Sequence, residues 1–110
     1  MKIVNRGFLL IKPTQNYWNW ANQFIEDVQF DEQDDCEGSI YLIEDDFFDI
    51  EPLLEKNFKH ILKNELESVT EEENWPEHLD MQLFLQFFKI DFGTSVYDTL
   101  KTNIESQNLD

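Results

Sequence analysis

Glu65 is the first residue that asks for a chemical explanation. It stands four residues after Ile61, three after Leu62 and four before Val69, inside the apolar stripe of a helical pattern. A carboxylate there must find hydrogen-bond donors or keep its proton. Arg6, the only arginine of the chain, would make it half of a structural ion pair, whereas an unpaired Glu65 would be a candidate general base. The Asp45-Asp46 pair is the second constellation. It follows the apolar run Ile40–Ile43, and paired carboxylates at a strand end can hold Mg²⁺ and orient phosphate chemistry. Sites of that kind need further strands bearing partner groups, and this chain has too few. Adjacent acids before a helix serve more simply as caps.

Other motifs fall away on spacing. A calcium loop starting at Asp31 needs glycine at its sixth position, where Cys36 stands. His60 and His78 are too far apart for a zinc pair, and HExxH and cysteine clusters are absent. Gly7, Gly38 and Gly93 are isolated, so no phosphate-cradling loop forms, and no serine has a nucleophile-elbow context. Cys36 is the single cysteine, which rules out an internal disulfide, and its acidic surroundings disfavour a reactive thiolate. No catalytic residue, metal ligand or cofactor is therefore expected.

Charge is the strongest global feature. Eight Lys and Arg against 24 Asp and Glu leave a net charge of −16 at pH 7. Between Lys12 and Lys56 there is no basic residue but thirteen acids, and 64–88 is a second base-free stretch carrying Glu65, Glu67, Glu71, Glu72, Glu73, Glu77 and Asp80. Such a field repels nucleic acid and anionic membranes and attracts basic proteins. The plain alternative is a solvated acidic face that keeps the protein soluble.

The elements that position these residues follow from apolar periodicity. Residues 3–12 read as a central strand, with Phe8–Ile11 buried on both faces. Thr14 caps a helix running to about Val28. Residues 29–38 form an acidic loop, and Ser39–Glu44 a second strand. Asp45, Asp46 and Asp49 offer caps for a helix with Pro52 in its first turn, continuing to about Val69. A loop with Trp75-Pro76 as anchor leads to a short helix over 79–87, capped by Asp80 and apolar on both sides: Met81, Phe84, Leu85 and Phe88 against Leu83 and Phe87. Residues 88–98 alternate as a half-buried antiparallel strand. The order β-α-β-α-α-β defines an α+β fold, a small three-stranded sheet with about three helices packed on it. Residues 1–98 make one domain and 99–110 a polar tail. At 110 residues with 41% hydrophobic and sixteen aromatic residues, the chain can bury a core unaided. It has no run of transmembrane length and no signal-peptide pattern at its start.

Several short pieces together resemble an uncharacterised family of small acidic bacterial proteins. They are Phe8-Leu9-Leu10-Ile11-Lys12-Pro13 with Trp18, Tyr41-Leu42-Ile43, and Phe58, Ile61 and Glu65-Leu66. Trp75-Pro76, the Phe84/Phe87/Phe88 cluster and Ser95-Val96-Tyr97-Asp98 complete the set. The resemblance implies a bacterial cytoplasmic protein and carries no chemistry.

The expected function is thus interaction rather than catalysis: an acidic protein docking on a basic protein surface, as an inhibitor, immunity protein or charge mimic would. Binding residues are expected at Asp31, Asp34, Asp35, Asp45, Asp46 and Asp49, with apolar anchors at Trp75, Leu83 and Phe87. The alternatives are a self-assembling structural subunit, or a small carboxylate-dependent enzyme or metal binder using Glu65 or Asp45-Asp46.

Overall fold

A computed structural model describes residues 1–109. Its elements are β1 (Lys2–Val4), β2 (Gly7–Pro13), α1 (Gln15–Ala21), β3 (Ser39–Ile43), α2 (Glu51–Glu67), α3 (Met81–Phe87), β4 (Phe88–Gly93) and β5 (Val96–Asp98), with short 3₁₀ turns at 22–24, 32–34 and 72–74. The α+β class and the three-stranded sheet agree with the sequence reading. β2 is central, in the order β3-β2-β4, and both pairings are antiparallel. β1 and β5 pair separately, also antiparallel.

The two predicted long strands are each interrupted. Gly93 lies opposite Phe8, and Val96 lies opposite Val4. Three residues on one strand therefore face two on the other, a mismatch of the bulge type that bends the ribbon and divides it into two sheets. Gly7 sits at that bend. A Cβ there would lie 2.8 Å from the carbonyl oxygens of both Glu44 and Gly93, so only glycine lets the neighbouring strands close in.

Alternation along β2 separates two faces. Leu9 and Ile11 are fully buried and join Ile43 and Phe88 beneath the helices. The helices contribute Tyr17 and Ala21 from α1, Phe58, Ile61, Leu62 and Leu66 from α2, and Phe84 and Phe87 from α3. Phe8 and Leu10 point to the other face beside Leu42 and Ile40, their cross-strand partners, and this face carries no helix. Phe8 and Leu10 are only half-buried, so burial of β2 on both faces is incomplete.

The caps at Thr14 and Asp80 form as expected, accepting from the backbone N–H groups of Tyr17 and Leu83. The first helix stops at Ala21 rather than near Val28. The Asn22 side chain both donates to the Phe30 carbonyl at 2.7 Å and accepts from its N–H at 3.1 Å, turning the chain back on itself. Trp18 stacks against Phe30 and pins the turn, and Val28 is left exposed. Residues 99–109 have no helix or strand and are exposed.

Candidate functional site: an open strand edge and an acidic loop

Alternation in β3 turns Ser39, Tyr41 and Ile43 toward α2, and Ile40 and Leu42 away from it. Tyr41 and Ser39 there meet the Glu65 carboxylate. The Tyr41 hydroxyl donates to Glu65 Oε2, Ser39 Oγ donates to Oε1 at 3.3 Å, and Asn64 Nδ2 donates to the Tyr41 hydroxyl oxygen at 2.9 Å. The half-buried carboxylate thus finds donors, but not the one expected: Arg6 is exposed and bonds Asn5 instead. The Glu65–Arg6 pair is replaced by a clasp of neutral hydroxyls that ties β3 to α2. Burial, reinforced by the hydrogen bond to Glu65, pushes the Tyr41 phenol above its usual range, although the Asn64 bond opposes it. Burial also pushes Tyr17 up to about 12, with the charge of Glu65 adding to it. Both phenols therefore remain hydrogen-bond donors at neutral pH, and neither is placed to serve as a base.

The predicted acids divide into two groups. Asp31 and Asp34 spend their side chains on each other's backbone, forming a reciprocal cap on the 32–34 turn. Asp35 adopts a left-handed conformation and reaches Lys12 at 3.6 Å. These three are internally engaged. Asp45, Asp46 and Asp49 lie exposed in the loop between β3 and α2, where Asp49 caps the Glu51 N–H at 3.1 Å. Within the same loop, Phe47 packs against the core and faces Phe92 at 6.2 Å, while Phe48 projects fully into solvent. Nothing in the periodicity marked Phe48. The usable signal was two adjacent aromatics between acids, because a loop can bury only one of two neighbours that point opposite ways.

The predicted apolar anchors lie elsewhere. Phe87 is buried against Tyr17 and Trp20, and Leu83 is half-buried on the core, because α3 is wedged between α1 and α2. That wedge explains a helix apolar on both sides, and it removes Phe87 as a contact for a partner. Trp75 is half-buried, its indole donating to the Thr70 carbonyl at 3.0 Å.

A groove of about 280 Å³ runs beside β3, lined by Tyr41, Leu42 and Ile43 on one side and Asn57, His60, Ile61 and Asn64 of α2 on the other, with Leu109 at its mouth. Among the described residues, no three His, Cys, Asp or Glu side chains converge as a metal site, and no helix is long and apolar enough to cross a membrane. Comparison with protein-family models, curated proteins and solved structures found no match.

Proposed function

We infer that this protein is an acidic docking module that binds a basic protein surface through the loop between β3 and α2. The observation that carries this reading is Phe48, a fully exposed aromatic ring set among the exposed carboxylates of Asp45, Asp46 and Asp49. Aromatic side chains are the common anchors of protein interfaces, and the surrounding charge selects the partner and speeds encounter. The base-free stretch from Pro13 to Glu55 meets cations at Asp35 (Lys12), Glu32 (Lys89) and Glu44 (Lys56, 3.0 Å), and among the described residues Asp45, Asp46 and Asp49 form no ion pair. Nucleic acid and anionic membranes are disfavoured by the net charge of −16. The bacterial, cytoplasmic setting suggested by the resemblance belongs to the same proposal. The test begins with capture of the tagged protein's partners from its native lysate at low and then high salt. The affinity of the purified basic partner is then measured for the wild type, for F48A and for the D45N/D46N/D49N triple variant. Each variant is expected to weaken binding at least about tenfold, and the triple variant to flatten the salt dependence as well. Unchanged affinity and salt dependence would refute the reading.

A further inference from the structure

β3 is an edge strand: it pairs with β2 on one side only. Edge strands in native proteins are commonly guarded by charges, prolines or a covering element. Ser39-Ile40-Tyr41-Leu42-Ile43 contains neither charge nor proline. Its two outward side chains are well exposed, Ile40 at 65% and Leu42 at 52%. With Phe8 and Leu10 they form an apolar patch on the helix-free face. On the opposite face the groove between β3 and α2 offers Tyr41, Ile43, Asn57, Ile61 and Asn64. A strand added at this edge would place alternate side chains on the patch and in the groove, while its backbone took up the free N–H and C=O groups of β3. The Tyr41–Glu65 clasp fixes the strand against the helix, so the groove is preformed. The chain's own Leu109 already lines this groove with an apolar side chain.

Charge decides the occupant. Carboxylates stand at both ends of β3: Glu37 before it, and Glu44, Asp45 and Asp46 after it. Antiparallel pairing of two copies about Tyr41 would set Glu37 of each against Asp45 of the other, like charges at both ends of the added strand. An apolar segment flanked by lysine or arginine meets opposite charge at both ends. We propose that β3 is a strand-addition site for an extended segment of a basic partner, apolar in its centre and basic at its two ends. This rests on the acidic docking reading and gives that reading a geometry.

The test uses a fluorescent peptide, Lys-Lys-Val-Thr-Val-Thr-Val-Lys-Lys, and a control with proline replacing the central valine, which keeps the charge and removes strand pairing. Anisotropy is measured with the full chain at low salt, beside sedimentation of the protein alone. The first peptide is expected to bind at least about tenfold more tightly than the proline control. I40K, which puts a charge on an exposed edge position, is expected to lose that preference while keeping the wild-type melting temperature. Equal binding of both peptides would overturn strand addition and leave acidic docking standing. Binding of neither would likewise overturn strand addition, the docking reading then being decided by F48A and the D45N/D46N/D49N variant, and a dimer of the free protein broken by I40K would assign the edge to a second copy instead.

Discussion

The two outer strands of the sheet flank the same central strand but are finished differently. β4 leaves α3 directly through the buried Phe88, carries Lys89 and Asp91, and continues into β5, which is held by β1. Lys89 is also tied to Glu32 at 2.8 Å. β3 enters from one acidic loop and leaves into another, bears no charge of its own, and is secured through its inward side chains to α2. One edge is charged and continued into a second sheet, while the other is uncharged and bordered by acids. This contrast is the reason the proposed interaction surface is put at β3 and the following loop rather than on α3, whose Phe84 and Phe87 are buried in the core.

The largest expected effect separates the strands by burial. F88A removes a buried ring from β4 and should cost about 3–5 kcal/mol in a urea melt, whereas I40A in β3 should stay within about 0.5 kcal/mol. A comparable loss for I40A would mean that the open face is covered in solution. G7A comes next, because its methyl would press on the carbonyls of Glu44 and Gly93 and so strain both pairings at once. A loss of about 1–3 kcal/mol is expected, typical of overpacking.

Alkaline titration sharpens the comparison on the β3 side. The folded-state pKa of Tyr17, about 12, lies above the ordinary phenol value of 10, and Tyr41 is raised as well. The unfolded chain therefore loses these protons first. Their stabilising contribution is fully present below pH 10 and is lost as pH climbs from 10 through 12. The melting temperature should fall across that window, and less steeply in Y41F. An equal slope in Y41F would detach Tyr41 from the effect. The smallest expected change is K56A, which opens the solvent-exposed contact with Glu44 and should leave the melting temperature almost unchanged.

Much of this arrangement was legible in the residues. The alternation of 88–93, the Thr14 and Asp80 caps and the apolar stripe of α2 all lead to elements that form. The failures have physical causes. The end of α1 depends on a side chain, Asn22, bonding eight residues ahead, which no local pattern reveals. The bend after Val4 depends on a register mismatch between strands some ninety residues apart in sequence. The position of Glu65 inside the apolar stripe did announce a paired carboxylate. Its partners lie on β3 because strand order, which the sequence leaves open, brings that strand over α2. Phe87, expected as an exposed anchor, is buried, and Phe48, to which the sequence reading gave no role, is exposed: hydropathy marks both as apolar, and only packing decides which is covered.

The most direct test of the central claim is amide hydrogen exchange, resolved by residue across the sheet, with and without the basic strand-forming peptide. The backbone N–H groups of β3 that do not bond to β2 should exchange rapidly in the free protein and become protected when the peptide is added, while those of β4 keep their rates. Protection that appears elsewhere and leaves β3 unchanged, or β3 amides already protected in the free protein, would contradict the account.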